Sequence, residues 1–137
     1  MAQPTQQNIF LFSGYTPRST ALAERVRKAC KKGDSVYIIE DSGHILKKRV
    51  QPDRSIVILD LPNIKQSAVK TIRLVKEQSD DTKILAIHIY TTKLLVEPLI
   101  EAGANGYLNY EPSVEELREA IHSVSEGERY LPGQIYR

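Results

Sequence analysis

Short runs of consecutive apolar residues alternate along this chain with segments whose apolar residues recur at helical spacing. The apolar runs are predicted as five strands, at positions 9–12, 36–39, 56–59, 84–89 and 106–108. Each run is apolar throughout rather than apolar at every second residue. We therefore expect strands that are covered on both faces, as in the middle of a parallel sheet.

Helical spacing follows each of these runs. Helices are predicted from 17 to about 32, from about 65 to 78, over 94–103 and from 114 to near 127, with a weaker one over 45–50. Thr16 is expected to cap the first helix, with Pro17 at its first position. Ser113 and Glu116 have the spacing of a capping box at the start of the last helix. Pro98 should shorten or kink the helix over 94–103.

The alternation of strands and helices predicts an α/β fold. We expect a (βα)5 three-layer αβα sandwich with right-handed crossovers and a parallel sheet of order 2-1-3-4-5. Residues 1–127 should form one domain, and residues 128–137 a tail or the start of a linker. In such a sheet, ligands bind at the carboxyl ends of the strands. The polar or small residues at those ends are Ser13, Gly14, Asp60, His88, Asn109 and Tyr110.

Composition narrows the function classes. The 137 residues suit a single domain, and 19 basic against 17 acidic residues give a net charge of only +2. This balance argues against direct nucleic-acid binding, for which a domain pI above ~9 is usual. One cysteine, Cys30, excludes an intrachain disulfide and a multi-cysteine zinc site. No apolar run is long enough to span a bilayer and the N-terminus is no signal peptide, so a cytoplasmic protein is expected.

The last third of the chain resembles a known protein family. Residues 103–108 (GANGYL) are followed by 116–121 (ELREAI), Gly127 and the pair Tyr130 and Leu131. This segment resembles the end of a CheY-like receiver domain of two-component response regulators, and it is most similar to the NarL/FixJ subclass that precedes a LuxR-type DNA-binding domain. Residues 56–61 (IVILDL) resemble the family's third strand, which ends in the phosphoacceptor aspartate. The resemblance thus places Asp60 at the phosphoacceptor position.

The other active-site positions of that family depart from its pattern. The resemblance puts the acidic pair on Ser13 and Gly14, the switch threonine or serine on His88, the switch aromatic on Tyr107 and the lysine on Tyr110. In the family the acidic pair holds Mg²⁺ and the lysine binds the transferred phosphoryl group. Here neither a second carboxylate nor a cation is offered, so the phosphorylation site is degenerate.

Without the acidic pair and the lysine, the charge repulsion between Asp60 and a phosphodonor would slow phosphorylation. Two unit charges of the same sign 4 Å apart repel by about 4 kcal/mol in a surface-like dielectric, which is roughly a thousandfold in rate. We therefore expect that Asp60 is not an efficient phosphoacceptor. We also expect no catalytic residue, no metal site and no cofactor, with Mg²⁺ bound only if other side chains replace the acidic pair.

The resemblance implies an atypical receiver that acts in signal transduction or transcriptional regulation by protein–protein contact. The expected partner is a second copy, an output domain or a sensor kinase, with no membrane contact. Two alternatives stay open: a conventional receiver of a phosphorelay that uses Asp60, and a flavodoxin-like module that binds a phosphate ligand or a flavin at residues 13–20.

Simpler interpretations also stay open for two of these residues. Asp60 could be only an exposed carboxylate at a strand end, and His88 a structural residue. The sharper hypothesis is that protonated His88 pairs with Asp60 and imitates the phosphorylated state.

Overall fold

The computed structural model describes residues 7–14, 17–39 and 55–135. Its strands are β1 (Asn8–Phe12), β2 (Ser35–Ile39), β3 (Ser55–Asp60), β4 (Lys83–His88) and β5 (Gly106–Asn109). Its helices are α1 (Pro17–Ala29), α2 (Ala68–Gln78), α3 (Lys93–Ala102) and α4 (Val114–Ser125), and a 3₁₀ turn, Leu61–Asn63, follows β3 directly. The strands are parallel and lie in the order β2-β1-β3-β4-β5, which confirms the predicted sheet.

Successive strand residues point to opposite faces of this sheet, and each face is covered by two helices. Ile9, Leu11, Ile56, Ile58, Leu85 and Ile87 pack in one cluster with residues of α1 and α4. Phe10, Phe12, Val57, Leu59, Ile84 and Tyr107 pack in the other with residues of α2 and α3. All residues of β3 are buried, because this strand lies in the middle of the sheet. The result is the predicted three-layer αβα sandwich.

The helix boundaries depend on local capping that the apolar pattern does not show. α1 begins at Pro17 as predicted, whereas Thr16 and the helix predicted over 45–50 lie outside the described residues. The helix predicted from about residue 65 begins only at Ala68, because the Ser67 side chain accepts the N–H of Lys70 and caps it. Pro98 lies inside α3 without ending it.

Not all apolar residues of α3 face the core. Val96, Leu99 and Ile100 are buried, but Leu94 is 82% and Leu95 is 48% exposed. The helix ends at Gly103, whose φ of +127° favours glycine. None of the described helices is long and apolar enough to cross a membrane.

The chain returns to the sheet after α4. Tyr130 forms an isolated parallel bridge with Gly106: its N–H donates to the Asn105 carbonyl at 3.2 Å, and its carbonyl accepts the N–H of Tyr107 at 2.9 Å. Leu131 packs against the core cluster under α2 and α3. The domain end at residue 127 stays a prediction, but the described residues after it contact the domain.

The capping box at the start of α4 is confirmed. Oγ of Ser113 accepts the N–H of Glu116 at 3.1 Å, and Oε1 of Glu116 accepts the N–H of Ser113 at 3.2 Å. Two amides at the helix start are thereby satisfied.

Replacing Ser113 by alanine should lower the free energy of unfolding by about 1 kcal/mol, because the side-chain acceptor is lost. Ser113→Asp, which keeps an acceptor at the N-cap, is the control and should stay near the wild type. Urea denaturation followed by circular dichroism measures both. Equal stability of the alanine variant and the wild type would contradict the importance of this cap.

Candidate functional site

The carboxyl end of β3 places Asp60 at the point where the strand ends converge. The side chain is not exposed: only 1% of the residue is accessible to solvent. The interpretation of Asp60 as an exposed strand-end carboxylate is therefore wrong. A buried carboxylate has lost its hydration and must find hydrogen-bond donors in the protein.

Two side chains supply those donors to one oxygen of the carboxylate. Oγ of Ser13 donates to Oδ2 of Asp60 at 2.6 Å, and Nδ2 of Asn63 donates to the same oxygen at 2.7 Å. Ser13 itself follows β1, and its own N–H donates to the Ile39 carbonyl at 3.1 Å, which ties it to the end of β2. Oδ1 of Asp60 has no hydrogen-bond partner among the described residues.

The turn after β3 closes over this carboxylate. The 3₁₀ turn Leu61–Asn63 brings the backbone of Asn63 against Gly14, where an added Cβ would lie 2.8 Å from the Asn63 carbonyl oxygen. A side chain at position 14 has no room unless the turn moves. Positions 13 and 14 were predicted from the sequence, whereas Asn63 was not; its signal was an amide side chain three residues after the aspartate.

One oxygen of the Asp60 carboxylate, Oδ2, already accepts two hydrogen bonds and is not left free for a magnesium ion. Mg²⁺ demands octahedral oxygen coordination and is usually held by one or two carboxylates together with water or phosphate oxygens. Ser13 and Asn63 instead direct hydrogen-bond donors at Asp60. Within residues 7–14, 17–39 and 55–135, no three His, Cys, Asp or Glu side chains are grouped so that they could hold a metal ion.

His88 ends the neighbouring strand, β4, and is half-buried. Its Nδ1 accepts the N–H of Ile89 at 2.9 Å, and its ring stacks on Tyr90 with centroids 4.0 Å apart. Burial lowers the pKa of His88, while the charge of Asp60 acts in the opposite direction and raises it. The structure contains no ion pair between His88 and Asp60, so the pairing hypothesis stays a prediction.

Tyr107 lies in the edge strand β5, with its side chain inside the core. The side chain is fully buried, and its hydroxyl donates to the Tyr90 carbonyl at 2.6 Å. Burial raises the pKa of this phenol far above its ordinary value, so that it acts only as a neutral donor. Tyr90 therefore connects Tyr107, through its carbonyl, with His88, through its ring.

Tyr110 follows β5. Its N–H donates to the His88 carbonyl at 2.8 Å, and its side chain packs against the cluster under α1 and α4. Beside it, Glu111 forms an ion pair with Arg25. The structure thus brings Ser13 next to Asp60 and Gly14 against Asn63. His88 ends β4, Tyr107 lies in β5, and Tyr110 follows β5. The segment suggested for a phosphate ligand or flavin lies partly outside the described residues, at positions 15 and 16.

Removing the Ser13 hydroxyl should destabilise the fold, because a buried carboxylate loses one of its two donors. We expect Ser13→Ala to lower the free energy of unfolding by about 1–3 kcal/mol. Ser125→Ala is the control, since that hydroxyl donates to the His122 carbonyl within α4, away from Asp60. In an Asp60→Asn background the effect of Ser13→Ala should shrink, and additive effects in this double-mutant cycle would contradict the coupling.

His88 should titrate below its ordinary pKa of 6.5 in an NMR pH titration. Because burial disfavours the charged ring in the folded state, the stability contributed by neutral His88 is present above pH 6.5 and is lost as the pH falls towards the folded-state pKa. Asp60→Asn should lower the pKa further, since an attractive charge is removed. Asp80→Asn, at an exposed position, should leave it unchanged. A pKa of His88 above 6.5 would contradict this assignment.

The chain is similar in sequence and in fold to several known proteins. No family model matches it. The chain is 29% identical over 80 residues to the response regulator UvrY of Escherichia coli K12. The matched segment covers 58% of this chain and 37% of UvrY. It is 30% identical over 86 residues to a nitrate/nitrite response regulator protein homolog of Haemophilus influenzae, covering 63% of this chain and 41% of that protein. The chain therefore spans less than half the length of these curated relatives.

Solved structures share the whole architecture. A two-component response regulator of the LuxR family from Aurantimonas sp. SI85-9A1 superposes with a TM-score of 0.80 at 20% identity, over 96% of this chain and 93% of that one. A putative pilus assembly protein, CpaE, from Burkholderia thailandensis gives a TM-score of 0.73 at 15% identity, over 88% and 99% of the two chains. At such identities these matches establish the fold.

Proposed function

We propose that this chain, a receiver domain related in sequence to response regulators, acts in signal transduction through protein–protein contact and without efficient phosphorylation of Asp60. The observation that carries the proposal is the state of the Asp60 carboxylate. It is buried, and one of its two oxygens already accepts hydrogen bonds from Ser13 and Asn63.

Phosphorylation of a carboxylate requires one of its oxygens to reach the phosphorus atom in line with the leaving group. Oδ2 of Asp60 could do so only by giving up two short hydrogen bonds. Oδ1 has no hydrogen-bond partner among the described residues, but it is buried beneath the surface. By the family resemblance, Tyr110 would occupy the position of the lysine that binds the phosphoryl group. These features oppose both the approach of an anionic donor and the stabilisation of its transferred group.

The close approach of Gly14 and Asn63 supports the same proposal. A carboxylate at position 14 would need to occupy space that the Asn63 carbonyl fills. Neither Ser13 nor Gly14 carries a carboxylate with which to bring a divalent cation to Asp60. These two positions therefore do not screen the repulsion between the carboxylate and an anionic phosphodonor.

The proposed partners are proteins: a second copy, an output domain or a sensor kinase. Ile89 is 60% exposed, and together with the exposed Leu94 and Leu95 it gives the start of α3 an apolar surface suited to such contacts. A solved neighbour from Silicibacter pomeroyi is a LuxR family DNA-binding response regulator. We therefore include a DNA-binding output domain, in a longer protein, among the proposed partners.

Incubation with acetyl phosphate and Mg²⁺, followed by intact-mass spectrometry, tests the proposal. We expect no mass gain, because the carboxylate is occupied and its ionic partners are missing. Beryllofluoride with Mg²⁺ should likewise leave the amide NMR signals around Asp60 unchanged. The isolated REC domain of RcsB from Salmonella enterica, whose structure is known in the presence of phosphomimetic BeF₃⁻, is the positive control.

Asp60→Asn is the matched variant for both measurements. A phosphoryl mass gain in the wild type that this variant abolishes would show a conventional phosphorylatable receiver and overturn the proposal. A gain that persists in the variant would place the modification at another residue and leave the proposal for Asp60 intact.

A further inference from the structure

The outer edge of β5 is covered by residues that follow α4. β5 is the last strand of the sheet and pairs with β4 on one side only. On its other side, residues 128–135, here called the strap, place Tyr130 beside Gly106. The bridge consists of the two backbone hydrogen bonds that join Tyr130 to Asn105 and Tyr107.

The edge is shaped for this contact. A Cβ on Gly106 would lie 2.9 Å from Cδ1 of Leu85 and 3.2 Å from both the Cβ and the carbonyl oxygen of Tyr130, so a larger residue fits only if Tyr130 shifts by a few tenths of an ångström. The Tyr130 ring packs against the cluster under α1 and α4, whereas Leu131 and Ile135 pack against the cluster under α2 and α3. The successive residues Tyr130 and Leu131 thus present their side chains to two separate apolar surfaces, and Ile135 follows from the turn after Pro132.

The attachment of the strap is slight compared with the rest of the sheet. It has a single bridged residue, whereas every other pair of neighbouring strands is joined over at least four registered pairs. Gly127, with φ of +83°, separates the strap from α4. Segments with few backbone bonds and partial burial open locally well below the free energy of global unfolding.

From these contacts we infer that the outer edge of β5 is a binding site for an extended peptide segment with an aromatic residue followed by an aliphatic one, and that the strap is its resident occupant. This is strand addition, in which backbone hydrogen bonds hold the segment and flanking pockets select alternate side chains. When the strap opens, a segment of the same pattern from another molecule can form the same two bonds. The inference rests on the sheet edge alone and does not depend on the state of Asp60.

The site is also connected to the strand ends. The N–H of Tyr107 binds the strap, and the hydroxyl of the same residue donates to the Tyr90 carbonyl. A segment that fills the edge therefore contacts the residue that bridges to His88 and its stacked neighbour.

A Tyr130→Pro variant, supplied with a separate peptide, tests the site. Proline removes the N–H that bonds to Asn105 and the ring that fills one pocket, so the strap should detach. We expect the Tyr107 amide to exchange with solvent at least about tenfold faster than in the wild type. A synthetic peptide with the sequence of residues 127–135 (GERYLPGQI) should bind this variant and restore the protection of that amide.

Two controls separate specific binding from general loosening. Tyr130→Phe keeps the backbone N–H and the ring, so its strap should stay in place and its Tyr107 amide should stay protected. A peptide of the same sequence carrying the Tyr130→Pro change should not bind the variant. Failure of the GERYLPGQI peptide to bind the folded Tyr130→Pro variant, or undiminished protection of Tyr107 in it, overturns the inference.

Native-state hydrogen exchange of the wild type keeps the inference testable if the proline variant does not fold. The amides of Tyr107 and Tyr130 should exchange together and faster than the amide of Leu85 in the neighbouring strand. Exchange of the Tyr107 amide only at the rate of global unfolding would show that the strap does not open, and it would equally overturn the inference.

Discussion

The hydrogen bond from the Ser13 hydroxyl to the Asp60 carboxylate governs the arrangement of the strand ends. A carboxylate as buried as this one is costly unless donors replace its water. Ser13 supplies one donor from the end of β1, and Asn63 supplies the second from the turn after β3. Both loops must approach the carboxylate to do so, and the contact between Gly14 and Asn63 follows from that approach.

A second set of contacts joins the other side of the sheet to the same end. Tyr107 reaches from the core to the Tyr90 carbonyl, and the Tyr90 ring lies on His88. These contacts are aromatic and neutral, in contrast to the charged network at Asp60. The strand ends therefore combine a closed polar network on β1 and β3 with an aromatic connection that runs from β4 to β5 and on to the strap.

Much of the architecture followed from the sequence because it depends on patterns that many residues share. Continuous apolar runs predicted the strands, and their alternation with helices predicted a parallel sheet and its strand order. The capping box was predictable because Ser113 and Glu116 have a fixed spacing.

The start of α2 was predicted too early, since a single hydroxyl, that of Ser67, decides where the helix begins. The burial of Asp60 was not predicted at all, because it results from two loops that close over the carboxylate. The return of Tyr130 to β5 was missed for a similar reason, since one backbone bridge leaves no periodic signal.

The contact between Gly14 and the Asn63 carbonyl limits how the chemistry of this site can change. A side chain at position 14 would meet the backbone of the turn after β3, whereas position 13 already carries a side chain that bonds to Asp60. A carboxylate at position 14 therefore requires the turn Leu61–Asn63 to move. A protein engineer who wants a second carboxylate near Asp60 would have to redesign that turn and position 14 together.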